Sequence, residues 1–135
     1  MARQARYILD TGIVIRHLRG MAAAVNLLRA IGRQERLAIS SVTRLEIHAG
    51  MFEGERYKTH KLLSRFITVE MDADIADRAG DHIREARLRG VALSVPDAII
   101  AATAMLHRLT LVTMNPKDFS ISGLRLFPIA SLEQE

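Results

Sequence analysis

Short apolar runs alternate along the chain with longer segments of helical periodicity. The runs are rich in Ile, Val and Leu and cover residues 6–10, 36–40, 66–70, 109–113 and 124–129. Continuous apolar runs of this length are typical of strands buried on both faces of a parallel sheet. The pattern therefore predicts a mainly parallel sheet of about five strands.

Between the runs, apolar residues recur at three- and four-residue intervals, which predicts helices. We expect helices over residues 12–32 (broken near Gly20), 42–53, 55–65, 73–89 and 96–108. The last segment is apolar nearly all round, so we expect it to pack centrally on the sheet. Strands alternating with helices in this order predict a doubly wound α/β fold.

Composition sets the broad class of protein. The chain has 135 residues, 49% of them apolar, and no cysteine. We therefore expect a single domain over residues 1–135, able to fold without disulfides, in the reducing cytoplasm. We expect no export signal and no membrane span, because the basic start leads into a short apolar stretch and no run approaches the roughly 20 apolar residues that a span needs.

The charge balance is modestly basic. The chain has 19 Lys and Arg against 15 Asp and Glu, and sixteen of the basic residues are arginine. Such a surface is compatible with a polyanionic partner, because guanidinium groups pair with phosphates. Aromatic residues make up only 4% of the chain, which argues against a base-stacking platform.

Acidic and amide side chains follow the predicted strands. Asp10 ends the first run, Glu46 lies one turn into the helix after the second, Asp97 opens the helix before the fourth, and Asn115 and Asp118 follow the fourth. Ligands of parallel α/β sheets bind beyond the carboxyl ends of the strands. We therefore expect these residues to share one rim of the sheet.

Each acid also has a structural explanation. Asp10 could cap the next helix, Asp97 fits a capping box, and Asp118 could stabilise a turn. Glu46 lies on the flank of the apolar stripe of residues 42, 45, 49 and 52, where it could pair with Arg44 or another basic side chain. Together, however, these carboxylates would repel one another unless a cation or a shared proton neutralised them. Oxygen ligands without cysteine, and without histidines at ligand spacing, favour Mg²⁺ or Mn²⁺ over Zn²⁺.

Four segments carry a resemblance to a known family. They read "YILDTGIVI", "AISSVTRLEI", "PDAIIAATA" and "LTLVTMNPKDF". In this order and spacing they resemble the PIN-domain nucleases, most closely the toxin subunits of the VapBC type, over a match that runs from Tyr7 to Pro128. The resemblance implies a three-layer α/β/α fold and metal-dependent endonucleolytic cleavage of RNA that leaves a 5′-phosphate.

The resemblance also implies roles for residues of the rim. The family's acids fall on Asp10, Glu46 and Asp97, with Asp10 and Asp97 as the main metal ligands and Glu46 as a further ligand, directly or through water. Thr11 and Thr113 match positions that support the site by hydrogen bonding.

The sequence departs from the family at two positions. Many relatives have asparagine where Gly12 stands, so an amide that often braces the site is missing. Asn115 occupies the fourth, variable acidic position, which predicts weaker binding of a second metal or the use of Asp118 through water. Glu46 and Asp118 are both candidates for orienting the attacking water.

Arginines near the rim are the candidates for binding RNA: Arg16, Arg19, Arg44, Arg84 and Arg87. For Arg84 and Arg87 the alternative is an ordinary solvated helix face. The resemblance further implies an antitoxin protein that blocks the acidic site, and a homodimer.

Two other functions compete with the nuclease. A non-catalytic PIN-like module that binds RNA or protein is favoured by Gly12 and Asn115. The other alternative is a phosphoryl-transfer domain, either an aspartyl-phosphate hydrolase or a receiver. Gly12 argues against the hydrolase, which needs a second Asp at that position. Glu70 argues against the receiver, which needs its acceptor Asp at the end of the third strand.

Overall fold

Four parallel strands form the centre of the fold. In this computed structural model, which describes residues 5–129, the strands are β1 (Tyr7–Leu9), β2 (Leu37–Ser40), β3 (Ile67–Val69) and β4 (Thr110–Val112). They lie in the order β3-β2-β1-β4, and every neighbouring pair is parallel. The predicted domain over residues 1–135 extends beyond the described residues at both ends.

Helices connect the strands, as the periodicity predicts. They are α1 (Thr11–Leu18), α2 (Ala22–Gly32), α3 (Ser41–Ala49), α4 (Arg56–Leu63), α5 (Ala73–Leu88) and α6 (Val95–Leu106), and a 3₁₀ turn covers Pro116–Phe119. The predicted break falls at Gly20, whose φ of +74° ends α1 in a conformation that favours glycine. Within residues 5–129 no helix is both long enough and apolar enough to cross a membrane.

The prediction of a fifth strand is wrong. Residues 124–129 contribute only one parallel bridge, between Leu111 and Leu126. A turn at Gly123, where φ is +87°, precedes this segment, and Pro128 near its end has no amide hydrogen to donate. The run is therefore too short and too interrupted to extend the ladder.

The strands bury both faces, which produces three layers. One face packs under α1, α2 and α4 and includes Leu9, Ile39 and Val112. The other face includes the alternate residues Ile8, Ala38 and Leu111, packed with side chains of α6. Seven consecutive residues of α6, from Ala98 to Ala104, are buried, which confirms its central position. The α/β/α sandwich is therefore confirmed, with four strands rather than five.

Helix α3 presents a different face to the core than the apolar pattern indicates. Its buried residues are Thr43 and Ile47, whereas Leu45 is 65% exposed. The hydroxyl of Thr43 is hydrogen-bonded inside the fold, so this polar residue can be buried without an unpaired group. This rotation of α3 directs Glu46 towards the start of α1.

Candidate active site

The carboxyl ends of β1 and β4 form the boundary at which the winding of the sheet reverses. From β1 the chain proceeds to β2 on one side and later reaches β4 on the other. Leu9 is in register with Val112, and the amide of Asp10 donates to the carbonyl of Val112 over 3.1 Å. Asp10 and Thr113 therefore follow adjacent strand ends at the crevice where α/β sheets bind ligands.

The carboxylate of Asp10 is held by two hydrogen bonds. It is only 5% exposed, and its Oδ1 accepts from the amide of Ile13 over 2.8 Å, which caps α1. Its Oδ2 accepts from the hydroxyl of Thr113, which itself accepts from the amide of Asn115 over 3.0 Å. The capping explanation for Asp10 is therefore correct, but it occupies only one of the two oxygens.

Burial raises the pKa of Asp10 above its ordinary value. The hydrogen bonds from Thr113 and Ile13 and the charge of Arg16 act in the opposite direction, while the nearby charge of Asp118 raises the pKa further. The net rise means that the ionised form of Asp10 lacks sufficient compensation in the protein alone.

Asp97 lies at the start of α6 and is partly buried. Ser94 is the N-cap of this helix, and its hydroxyl accepts from the amide of Asp97 over 3.2 Å, as a capping box predicts. Burial raises the pKa of Asp97, a hydrogen bond with Ser94 lowers it, and the charges of Asp118, Asp10 and Glu46 raise it. The charges of the other three predicted acids therefore all reach Asp97.

Glu46 is held by a hydroxyl rather than by a cation. Its Oε1 lies 2.6 Å from Oγ1 of Thr11, and that hydroxyl also lies 3.0 Å from Oγ1 of Thr43. Because a carboxylate can only accept, Thr11 donates to Glu46 and Thr43 donates to Thr11. Arg44 instead donates to Thr68 over 3.3 Å, so an Arg44–Glu46 pair does not explain Glu46.

Thr43 is a supporting residue that the sequence reasoning missed. It is fully buried and completes the hydroxyl chain that leads to Glu46. The available signal was its position three residues before Glu46, which places both side chains on one face of a helix.

Asn115 and Gly12, the two departures from the family pattern, lie beside each other. A Cβ on Gly12 would stand 3.7 Å from Asp10 Oδ1 and 4.0 Å from the side-chain nitrogen of Asn115. Asn115 and Asp118 are both exposed, and Asp118 lies in the 3₁₀ turn. Gly12 therefore lies beside both Asp10 and Asn115, with room for a Cβ in ordinary contact.

The acids do not form a closed metal cage. Within residues 5–129, no three Asp, Glu or His side chains are placed close enough together to hold a metal ion between them. This arrangement argues against a structural Zn²⁺ site, which needs four protein ligands. It is compatible with Mg²⁺, which is usually bound by one or two carboxylates and keeps several waters.

The predicted RNA-binding arginines have different surroundings. Arg16 is close enough to Asp10 for its charge to lower the pKa of that carboxyl. Arg19 forms an ion pair with Glu55 over 2.7 Å and stacks on the ring of Phe52. Arg44 is tied to Thr68, as described above. Of these three, only Arg16 is placed by the structure beside the acids.

The two arginines of α5 lie on its solvent side. Arg84 pairs with Asp81 over 3.0 Å, and Arg87 is an exposed residue of the last turn. Neither charge contributes to the pKa shifts of Asp10 or Asp97. These observations favour the solvated-face explanation for both residues.

The fold is an α/β/α domain with acids near the carboxyl ends of its parallel strands, and comparison with known proteins identifies its family. The family model described as PIN domain matches residues 7–121. The chain therefore belongs to the PIN-domain family.

The similar proteins include a protein named as a ribonuclease and a chain from a toxin–antitoxin complex. Ribonuclease VapC10 of Mycobacterium tuberculosis is 37% identical over 112 residues, which cover 83% of this chain and 84% of the relative. The structure of a toxin–antitoxin complex from Klebsiella pneumoniae aligns with a TM-score of 0.73 at 35% identity, over 93% of this chain and 98% of that one. VapBC2 from Rickettsia felis, solved bound to a promoter DNA fragment, aligns with a TM-score of 0.77 at 27% identity, over 90% and 96% of the two chains.

Proposed function

We propose that this chain is a divalent-metal-dependent endoribonuclease and the toxin of a toxin–antitoxin pair. The observation that carries the proposal is that Asp10 and Asp97 both have raised pKa values, and that the charge of Asp10 is one of the causes at Asp97. The PIN-domain family and the resemblance to a protein named Ribonuclease VapC10 support the same activity.

The donor set fits Mg²⁺ or Mn²⁺. Asp10 and Asp97 would bind the ion directly, and Glu46 and Asp118 would act directly or through water. All four are hard oxygen donors, and the unfavourable charge at Asp10 and Asp97 is what a dication would neutralise. When bound, the ion supplies a water of lowered pKa and positive charge against the scissile phosphate.

The protein's own groups prepare this site. The hydroxyl of Thr113 and the amide of Ile13 fix the orientation of the Asp10 carboxylate. Thr11 holds Glu46 with one oxygen engaged, which leaves the other oxygen to orient a water. Arg16, whose charge lowers the pKa of Asp10, would bind the RNA backbone beside the reacting phosphate.

The test is to compare RNA ends after brief expression of the wild type, Asp10→Asn and Asp97→Asn. The wild type should generate new 5′-phosphorylated ends at defined sites, and both variants should generate none. Asp77→Asn, the same change at an exposed residue of α5, is the matched control and should cleave like the wild type. Purified protein should lose cleavage in EDTA and regain it with Mg²⁺ or Mn²⁺. Full activity in Asp10→Asn or Asp97→Asn would refute the assignment.

A second candidate function is a non-catalytic module that binds RNA or protein. The neutral Asn115 in the fourth position favours it, as does the lack of a three-acid cage within residues 5–129. This alternative predicts RNA binding that is equal in EDTA and in Mn²⁺, with no new RNA ends. Metal-dependent cleavage would exclude it.

The proposal includes an antitoxin partner. Resemblance to chains from toxin–antitoxin complexes supports it. An antitoxin that places an arginine among Asp10, Glu46 and Asp97 would substitute for the charge of the metal and so inhibit cleavage. A homodimer of this chain is also predicted, and sedimentation of the purified protein would test it.

A further inference from the structure

A cavity lies at the end of the sheet opposite to the acids, near the amino ends of β2 and β3. It has a volume of about 400 Å³ and adjoins the residues that precede β2 and β3, whereas the acids follow the carboxyl ends of the strands. Its apolar lining consists of Leu28, Leu37, Leu62 and Phe66, which belong to the core under α1, α2 and α4. The cavity shares no lining residue with the rim of acids.

The mouth of this cavity carries a concentration of positive charge. Four exposed arginines line it: Arg29 and Arg33 from the end of α2, Arg36 before β2, and Arg65 after α4. In the part of the chain that the structure describes, none of the four forms an ion pair with a carboxylate. The one acid of the lining, Glu35, lies 3.6 Å from Arg6 outside the cavity.

The pKa of His17 is affected by positive charges near this cavity. This histidine lines the cavity, and burial is the main cause that lowers its pKa. The charges of Arg65, Arg29 and Lys58 lower it further. Cationic groups of two separate chain segments, α2 and the region of α4, therefore act on one place, where a bound anion would be favoured.

We propose that this cavity binds a nucleotide, with its phosphate monoester on the arginines and its nucleoside on the apolar floor. A phosphate monoester carries nearly two charges and three acceptor oxygens, so it can satisfy several guanidinium groups, whereas a single carboxylate satisfies one or two. The volume is within the range of about 300–1,000 Å³ typical of small-molecule sites. The apolar floor explains why a compact organic anion fits better than inorganic phosphate.

The same chemistry has two sources, a free mononucleotide or the 5′-phosphorylated end of an RNA strand. Calorimetric titration of the full chain with 5′-AMP in EDTA tests the site without metal and without cleavage. We expect saturable one-to-one binding, and affinities for adenosine and for inorganic phosphate that are each weaker by about tenfold or more. Arg33→Gln and Arg65→Gln should each weaken 5′-AMP binding by about tenfold. Arg56→Gln, an exposed arginine at the other end of α4, should not change it.

The source is distinguished with RNA tetranucleotides that carry either a 5′-phosphate or a 5′-hydroxyl. If the cavity holds RNA ends, the phosphorylated strand binds at least as tightly as 5′-AMP and the hydroxyl strand does not bind. If it holds free nucleotides, 5′-AMP alone binds. The proposal is overturned if neither ligand binds at millimolar concentration, or if Arg33→Gln and Arg65→Gln bind like the wild type. It is also overturned if only an acidic peptide of alternating Glu and Leu binds. RNA cleavage by the same preparations is a separate readout, so failure here does not depend on the nuclease proposal.

Discussion

Thr113 donates its hydroxyl hydrogen to the carboxylate of Asp10 and so joins the ends of β4 and β1. The two residues are 103 positions apart in the sequence, yet both follow strands that are in register at their last residues. The bond lowers the pKa of Asp10 against the larger opposing effect of burial. Thr113 therefore keeps a buried carboxylate oriented and closer to its ionised state.

Thr113→Val should weaken both the fold and the metal site. Valine keeps the shape of threonine but leaves Asp10 without one donor and the amide of Asn115 without its acceptor. Loss of these buried bonds should lower the free energy of unfolding by about 1–3 kcal/mol. Because the Asp10 carboxylate would be less well oriented, Mn²⁺ affinity should fall about 10–100-fold. Urea unfolding and Mn²⁺ titration measure the two effects.

The control for this prediction is the first residue of the strand that Thr113 follows. Thr110→Val makes the same substitution in β4 at a partly exposed residue away from the carboxyl end of the strand. It should leave Mn²⁺ affinity unchanged. Equal losses of affinity in Thr110→Val and Thr113→Val would contradict the specific role of the Thr113 hydroxyl.

Asp97→Asn should stabilise the metal-free protein at neutral pH. The pKa of Asp97 is raised above its ordinary value of 3.8, so folding disfavours its ionised form. The stability linked to this group is therefore greatest below the unfolded-state pKa and is lost as the pH rises through the folded-state pKa. In EDTA, the variant should melt at a higher temperature than the wild type at pH 7, and the difference should shrink towards about pH 4.

Bound metal should make the wild type more stable than Asp97→Asn. With saturating Mn²⁺ the wild type should gain thermal stability, because the ion binds only the folded protein, and Asp97→Asn should gain little. Asp77→Asn should follow the wild type in both buffers. A wild type that is more stable than Asp97→Asn in EDTA at neutral pH would argue against an uncompensated charge at this position.

Thr11 should act on cleavage by positioning Glu46. Thr11→Val removes the donor to Glu46 and the acceptor for the buried hydroxyl of Thr43, whereas Thr11→Ser keeps both. At saturating metal, kcat for RNA cleavage should fall about tenfold in Thr11→Val with KM little changed. Thr11→Ser should retain a rate close to the wild type. Equal rates in the two variants would show that the hydroxyl does not position Glu46.

The sequence was sufficient for those features that depend on local pattern and on general topology. Helical periodicity located the helices, and glycine chemistry located the break at Gly20. The expectation that Asp10 and Asp97 share one rim rests on one rule, that ligands of parallel α/β sheets bind beyond the carboxyl ends of the strands. Raised pKa values at both acids agree with that expectation.

The predictions that were wrong concern features that depend on packing between distant segments. Leu45 fits an apolar stripe, yet it is 65% exposed while Thr43 is fully buried. The reason is the contact of α3 with α1, where Thr11 lies 32 residues from Thr43 and 35 from Glu46 and pairs with both. Hydrophobicity alone cannot anticipate a buried hydroxyl whose partner lies on another helix. The structural alternative for Glu46, a pair with Arg44, fails because Thr11 of α1 holds Glu46 and Arg44 donates to Thr68.

Arg16 and Arg84 should differ in their effect on RNA binding. Arg16 lies close to Asp10, whereas Arg84 is paired with Asp81 on the surface of α5. In EDTA, Arg16→Gln should weaken binding of a single-stranded RNA and reduce the slope of log affinity against log salt by about 1. Arg84→Gln should leave that slope unchanged. The opposite ranking, measured by anisotropy over a salt series, would move the RNA path to α5.

Gly12→Ala should separate stability from metal binding. Gly12 is the second residue of α1 and has no left-handed φ, so alanine should raise the free energy of unfolding by about 0.5–1 kcal/mol. The new methyl would stand 3.7 Å and 3.9 Å from the two carboxylate oxygens of Asp10, an ordinary contact that displaces water from them. We therefore expect weaker Mn²⁺ binding in a more stable protein, by calorimetry and thermal melting.

Gly12→Asn tests whether the missing family amide matters. Its side chain would begin at the same Cβ position, beside Asp10 and 4.0 Å from the side-chain nitrogen of Asn115. An amide there can donate to Asp10, so Mn²⁺ affinity should exceed that of Gly12→Ala, because a donated hydrogen bond favours the ionised carboxylate that binds metal. If the asparagine variant binds Mn²⁺ no better than the alanine variant, Asn115 already provides the polar contact that Gly12 lacks, and the departure at residue 12 carries no cost for the site.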